Sequence, residues 1–156
     1  MPKLYILETT QFLPIPLEAA WDFFSTPDNL RELTPDYLQM VISSRSGRKQ
    51  IYSGQIICYR LKPLLGIPVS WVTEITHVEQ HKYFVDEQRF GPYAFWHHAH
   101  FFREVQGGVE MHDLVHYKLP LGLLGRWANT LFVGRQLDEI FKYRKRVLDN
   151  KFPPGK

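Results

Sequence analysis

The chain has 156 residues, of which 44% are hydrophobic and 22% charged, so its composition is that of a globular protein and excludes a disordered chain. The net charge is only +3, and much of it lies in residues 142–146, which we interpret as a solvated helix face, with no nucleic-acid partner expected. Aromatic residues make up 15%, which favours a heavy core or an aromatic-lined cavity.

The sequence predicts a single domain over residues 1–150, followed by a loose tail over residues 151–156. Residues 1–8 lack the apolar length of a signal peptide, and the single cysteine, Cys58, cannot form an internal disulfide. No stretch approaches the ~20 apolar residues of a membrane span. We therefore expect a cytoplasmic protein without a membrane span.

The first third of the chain predicts one strand and two short helices. Apolar and polar residues alternate over residues 4–12, which is typical of a strand. Helical spacing follows over 16–24, and a second short helix is predicted over 25–33, with Thr26 as its N-cap and Pro27 at its first position.

The rest of the chain predicts a run of strands and one long helix. Gly and Pro breaks separate six β-type segments, at residues 38–44, 50–61, 69–78, 83–89, 95–105 and 109–118. Residues 119–125 are predicted as a loop. An amphipathic helix then continues to about residue 150, with an apolar stripe formed by Leu124, Trp127, Ala128, Leu131, Leu137, Phe141 and Leu148.

This order predicts an α+β fold in which a curved antiparallel sheet of about seven strands wraps around the last helix. Only that helix is long enough to cover the apolar face of the sheet. Because one helix and two short ones rarely fill the space above a curved sheet, an internal cavity is expected between sheet and helix.

The most unusual chemistry lies in residues 88–102, where six aromatic residues and three histidines occur together. A turn at Gln106–Gly107 would pair this arm with the next strand. The resulting register sets His100 opposite Asp113 and Trp96 opposite Tyr117 on the face predicted to point inward. On the opposite, solvent-facing side, His97 would face His116, Phe101 would face His112, and Arg103 would face Glu110.

The inward set is the strongest candidate site in the sequence: Trp96, His98, His100, Asp113 and Tyr117. A buried carboxylate needs a partner, and His100 would supply one. The pair could simply hold two strands in register, could fix the polar group of a ligand, or could act as an acid–base pair. Two histidines on one strand face with an acidic neighbour could also hold a metal, but we predict no metal and no cofactor.

Several of these residues resemble a known superfamily. The matching positions are Gly91-Pro92-Tyr93, Trp96, His98, His100, Phe102, Asp113, Val115, Tyr117, Leu119-Pro120, Gly122, Leu124-Gly125, Gln136, Ile140-Phe141 and Tyr143-Arg144. In this pattern the chain is similar to the SRPBCC superfamily of START-like and pollen-allergen-like (Bet v-like) domains. More narrowly, it resembles bacterial SRPBCC domains that are often labelled cell-division inhibitors.

The resemblance implies a helix-grip fold with a deep cavity between the sheet and the C-terminal helix, but not one activity, because the superfamily includes carriers, cyclases and receptors. Close relatives are often arginine-rich after Gly91, whereas Ala94, Phe95, His97 and Ala99 stand here. No iron-binding triad of the oxygenase members can be aligned.

Two functions remain open at this stage. The first is the binding of a small hydrophobic or aromatic molecule, lipid or polyketide-like, by Trp21, Trp71, Trp96, Tyr117, Trp127 and Leu131, with His98, His100 and Asp113 fixing its polar groups. The alternative is a cyclase- or dehydratase-like enzyme in which His100, tuned by Asp113, moves a proton while Tyr117 donates to an oxyanion.

Overall fold

The computed structural model describes residues 3–155. Met1 and Pro2 of the predicted N-terminus and Lys156 of the predicted tail lie outside the described residues. Seven strands and three α-helices follow one another along the chain: β1 Tyr5–Leu13, α1 Leu17–Phe24, β2 Val41–Arg45, β3 Gln55–Leu64, β4 Ile67–Glu79, β5 Tyr83–Phe90, β6 Phe95–Val105, β7 Gly108–Lys118, α2 Gly122–Ala128 and α3 Gly134–Lys151.

The seven strands form one antiparallel sheet in the order β1-β7-β6-β5-β4-β3-β2. Consecutive strands from β2 to β7 are neighbours, and β1 closes the far edge against β7. The predicted α+β architecture, with a seven-stranded sheet and a long C-terminal helix, is confirmed. The residues of β1 and β7 alternate between more buried and more accessible, so one face of the sheet carries the core.

Several boundaries differ from the sequence prediction; β3, for example, begins at Gln55 and not at residue 50. The segment predicted as a helix over 25–33 forms only a 3-10 turn at Pro27–Arg31. A second 3-10 turn at Asp36–Leu38 delays β2 to Val41. The stretch predicted as a loop over 119–125 already becomes helical at Gly122, because Leu121 and Gly122 both take positive φ and turn the chain into α2.

The predicted apolar stripe of the last helix is wrong in its first half. Leu137 and Leu148 are buried, but Leu124, Trp127 and Leu131 are 52–71% exposed. Leu131 and Leu137 are six residues apart, which at about 100° per residue puts them about 120° out of phase. The helix instead turns small or polar residues to the sheet there, and five residues between α2 and α3, Asn129–Val133, form a π-helical turn.

The core consists of two clusters. The larger one packs α1 and the C-terminal half of α3 against the sheet, and Leu13, Trp21 and Met111 are among its buried residues. The smaller one surrounds Trp96 and Tyr117 near the start of α3. Within residues 3–155, no helix is long and apolar enough to cross a membrane.

Gly108 tests the tight contact between β1 and β7. A Cβ at this position would lie 2.1 Å from the carbonyl oxygen of Leu13, which is backbone and cannot move aside. We expect Gly108→Ala to lower the free energy of unfolding by about 1–3 kcal/mol, measured by urea denaturation. Gly155→Ala, whose Cβ would contact nothing within 4 Å, is the matched control; equal stability of the two variants would contradict the packing described.

Candidate functional site: a buried histidine–aspartate cluster

The β6–β7 hairpin carries the site, and its register is the predicted one. Val105 faces Gly108 across the turn, His100 faces Asp113, and Trp96 faces Tyr117. Gly107 takes a φ of +83°, which a residue with a side chain rarely adopts.

The two faces of the hairpin also separate as the alternation predicts. All five residues of the inward set are 4–8% exposed: Trp96, His98, His100, Asp113 and Tyr117. On the opposite side His97 and His116 are half-buried, with ring centroids 6.2 Å apart. Also on that side, His112 contacts Glu8 at 2.7 Å, and Arg103 pairs with Glu110 at 2.6 Å.

The rings of the two buried histidines are in contact, with centroids 3.7 Å apart and planes tilted by 32°. His98 Nε2 hydrogen-bonds Asp113 Oδ1 at 2.9 Å, while His100 Nε2 hydrogen-bonds Asp86 Oδ2 at 2.8 Å. His100 Nδ1 also lies 2.8 Å from Asp113 Oδ1, but off the direction of a hydrogen bond, so that contact is electrostatic. The predicted pair of His100 and Asp113 is therefore one contact of a larger cluster.

Asp86 belongs to this cluster, although the sequence analysis did not place it there. It comes from β5, where it pairs across the sheet with His98. A turn centred on Pro92 would have given this register. The side-chain amide of Gln88 closes that turn, because it donates to the Tyr93 carbonyl at 2.7 Å and accepts from the Tyr93 N–H at 3.1 Å.

Arg144 is the second residue that sequence analysis missed, because it lies in the basic run 142–146 that we interpreted as solvent-facing. That interpretation is wrong for Arg144, which is 7% exposed. Its guanidinium lies over the rings of Phe24 and Phe141 and 3.9 Å from Asp113. The spacing was informative, since Arg144 falls three residues after Phe141 and four before Leu148, on the apolar face of the helix.

The shifts in pKa show how the charges share this site. Burial lowers the pKa of His98, and the neighbouring His100 lowers it further. Burial also opposes protonation of His100, but Asp113 and Asp86 outweigh it and raise the His100 pKa. Burial would raise the pKa of both carboxyls; instead Arg144 and the two imidazoles hold the pKa of Asp113 well below its usual range, and the imidazoles lower that of Asp86.

With His100 protonated and His98 neutral, two cations balance two carboxylates. The potential ligand atoms of Asp86, His98 and His100 lie within 4.8 Å of one another, close enough to surround a metal ion. Such an ion would have to displace the proton of His100 beside the positive charge of Arg144. The donor set can therefore hold a cation only in competition with that proton.

An aromatic cluster adjoins the charged one. Trp96 lies 5.1 Å from Trp71 and 4.8 Å from Tyr93, measured between ring centroids, and 6.1 Å from His98. The hydroxyl of Tyr117 donates a hydrogen bond to Asn129 Oδ1 at 2.9 Å. This bond ties the end of β7 to the π-helical turn, and burial raises the pKa of Tyr117 so that the hydroxyl keeps its proton.

The remaining predicted ligand residues are spread more widely. Trp21 packs edge-on against Phe84 and Phe102 in the larger core cluster. Trp127 and Leu131 lie on the exposed side of the last helix. The structure therefore brings together the hairpin residues and Trp71, but neither Trp21 nor the two helix residues.

Two grooves flank the aromatic cluster. The β1–α3 groove has a volume of about 470 Å³, and Tyr117 and Phe141 line it. The β1–α2 groove has a volume of about 400 Å³, and Tyr5, Leu119 and Leu123 line it. Phe141 separates the first groove from the charged cluster, because its ring centroid lies 5.8 Å from that of His98.

Comparison with solved structures supports the helix-grip fold. Similar structures include CV1439 from Chromobacterium violaceum (TM-score 0.71, 11% identity, covering 96% of this chain and 99% of that chain) and the Bet v 1-like allergen Ara h 8.0201 (0.63, 13%, 95% and 99%). A third is the di-domain ARO/CYC protein BexL from the BE-7585A biosynthetic pathway (0.69, 14%, 98% and 51%).

No family model and no curated protein sequence matches the chain. The structural likeness is consistent with an SRPBCC-type fold, as the sequence pattern implied. At these identities it concerns the fold alone, and the narrower resemblance to domains labelled cell-division inhibitors stays a prediction.

Removing one carboxylate tests the buried balance of charge. Asp113→Ala leaves Arg144 without its acidic neighbour in the core, so we expect the free energy of unfolding to fall by about 3–5 kcal/mol. Glu110→Ala, which breaks the exposed pair with Arg103 on the same hairpin, should cost only about 0.2–1 kcal/mol. Chemical denaturation of both variants measures the difference, and equal losses would contradict the buried cluster.

The raised pKa of His100 predicts a loss of stability at alkaline pH. A group whose pKa is raised by folding stabilises the folded state below its unfolded pKa, about 6.5, and loses this contribution as the pH rises through the folded value. His98, whose pKa is lowered, is neutral in both states above that pH and does not interfere.

We therefore expect the urea midpoint of the unaltered protein to fall as the pH rises from about 6.5, and the slope to be lost in His100→Gln. His97→Gln, on the opposite face of the same strand, should keep the slope. An unchanged slope in His100→Gln would show that this imidazole is not the group responsible.

Proposed function

We propose that the protein binds a small hydrophobic or aromatic molecule between its sheet and its C-terminal helices. The observation that carries the proposal is the position of Tyr117. Its ring belongs to the aromatic cluster, its hydroxyl is anchored on Asn129, and it lines the β1–α3 groove. A groove of about 470 Å³ is in the range that ligand sites occupy.

The helical cover above the aromatic cluster is thin. Gly125 and Asn129 are the buried residues of this part of the helix, so small and polar groups face the sheet where large apolar ones are usual. The bulky side chains of Trp127 and Leu131 point outward. In the proposal they stand at the mouth of the site, while Trp71, Trp96 and Tyr117 contact the body of the ligand.

The charged cluster supplies the polar end of the proposed site. The Phe141 ring lines the β1–α3 groove and lies 5.8 Å from the His98 ring, measured between centroids. Arg144 Nε and His100 Nδ1 are buried without a hydrogen-bond partner among the described residues. Buried polar groups of this kind usually have a hydrogen-bond partner. In the proposal, a ligand oxygen that reaches past Phe141 accepts hydrogen bonds from these two nitrogens, beside Asp113. Trp21 lies in the larger core cluster and is not part of the proposed site.

Thermal unfolding with a soluble apolar dye or a lipid extract tests ligand binding. A ligand at about 100 times its Kd stabilises by about 2.7 kcal/mol, which raises Tm by about 5–10 °C for a domain of this size. Trp96→Ala should abolish the shift, and Tyr117→Phe, a milder change, should reduce it. Trp21→Phe is the control that disturbs the other core cluster and keeps the shift.

The shift is measured relative to each variant's own Tm, so loss of stability alone does not count as loss of binding. If no dye or extract raises Tm, or if Trp96→Ala shows the same shift as the unaltered chain, the binding proposal is wrong.

An acid–base enzyme is the second candidate, and the opposite pKa shifts of His98 and His100 favour it. The hydroxyl of Tyr117 donates a hydrogen bond to Asn129, and it would have to break this bond to stabilise an oxyanion. If a cyclase- or dehydratase-type reaction is found, its rate should follow a group titrating above about 6.5 and be lost in His100→Gln. An unchanged rate in that variant would exclude this imidazole.

A further inference from the structure

The helix α2 and the π-helical turn after it have their apolar side facing outward. Leu123, Leu124, Trp127 and Leu131 recur at helical spacing and are 52–71% exposed, while Gly125 is buried against Leu119 and Pro120 of the β7–α2 connection. A Cβ on Gly125 would lie 2.1 Å from the Pro120 carbonyl oxygen, so the glycine lets the helix approach closely without turning its leucines inward.

The same end of the molecule carries the other exposed apolar side chains of the sheet connections. Because the sheet is antiparallel, the β3–β4 hairpin, the β5–β6 turn and the β7–α2 connection share one end of it. The hairpin exposes Leu64, Leu65 and Ile67, and the turn exposes Phe90 and Phe95. We call this the apolar end. The turns at the opposite end, residues 80–82 and 105–107, carry no large exposed apolar residue.

The hairpin and the helix are joined within the apolar end. Gln136 in the first turn of α3 donates a hydrogen bond to the Pro63 carbonyl at 2.5 Å. Phe132, 63% exposed, lies about one turn before Gln136. Exposed apolar surface that continues over several elements marks an interaction site more often than single exposed residues do.

The charges around the apolar end have one sign. Residues 60–70, 88–96 and 116–137, which lie toward this end, contain no aspartate or glutamate. Lys62, Lys118, Arg126 and Arg135 lie in them, and within residues 3–155 none of these four cations forms an ion pair. Lys118 and Arg126 also line the β1–α2 groove with Lys3, beside Leu119 and Leu123.

We propose that the apolar end docks on an anionic phospholipid bilayer, with its leucines and Trp127 in the interface and its cations at the lipid phosphates. Outward-facing Trp and Leu flanked by Lys and Arg are what an interfacial helix requires. The β1–α2 groove, basic on one side and leucine-lined on the other, matches one lipid headgroup with its adjoining chain. A second copy fits less well, because a two-fold contact would bring the same four cations face to face.

Vesicle co-sedimentation tests the docking. We expect binding to phosphatidylcholine vesicles containing about 30% phosphatidylglycerol. Binding to phosphatidylcholine alone should be weaker by about tenfold or more, because each cation near an anionic surface increases the affinity about fivefold. Raising the salt from about 0.15 M to about 0.5 M should release the protein. On anionic vesicles the emission of Trp127 should shift to the blue, and Trp127→Phe should remove this shift.

Two variants place the contact on both parts of the apolar end. Leu65→Glu in the hairpin and Leu124→Glu in α2 are 87% and 71% exposed, so folding should be unaffected and vesicle binding should fall about tenfold or more. Phe12→Glu, at a 48% exposed residue of β1 that pairs with Glu110 near the opposite end of the sheet, is the matched control and should bind as the unaltered chain does.

Equal binding to neutral and anionic vesicles, or none to either, would overturn the proposal. A concentration-dependent dimer that Leu124→Glu dissociates, without vesicle binding, would identify a second copy as the occupant and also overturn it. Docking and ligand binding fail separately: both glutamate variants should keep the thermal shift produced by an apolar dye, whereas Trp96→Ala should lose that shift and keep vesicle binding.

Discussion

The contact between Asp113 and Arg144 connects the two halves of this fold. A carboxylate in the middle of β7 and a guanidinium on the last helix are both withdrawn from water, so each depends on the other and on the two neighbouring imidazoles. Because Asp86 adds a second carboxylate from β5, the cluster joins three neighbouring strands to α3. The position of the helix over the sheet is thus set by charge as well as by apolar packing.

This constraint divides the space under the helices into two regions. On one side, α1 and the end of α3 fill the sheet with close aromatic and aliphatic packing. On the other, Trp96 and Tyr117 meet a helix that offers Gly125 and Asn129. The β1–α3 and β1–α2 grooves border the second region, and the binding proposal therefore depends on it rather than on the larger core.

Sequence reasoning recovered the features that depend on strand alternation and on one glycine turn. Gly107 fixed the β6–β7 register, and the register fixed which histidines are buried. Asp86 was missed because the turn at Pro92 is held by a hydrogen bond from the Gln88 side chain to Tyr93, which composition does not reveal. Arg144 was missed because a basic run hid its helical phase. The first half of the predicted apolar stripe, from Leu124 to Leu131, was wrong because apolar residues were counted without their angle around the helix axis.

The π-helical turn at Asn129–Val133 changes the angle around the helix axis at which the side chains of α3 follow those of α2. Residues placed every four positions drift by about 40° per step around an α-helix, and the wider turn absorbs part of that drift, which keeps Gly125 and Leu137 on the sheet side. What the molecule shows to its surroundings therefore depends on the local helical pitch. A rotation of the helix by about 100°, which is one residue, would turn the side chains of the outer apolar surface inward, where they would cover the aromatic cluster.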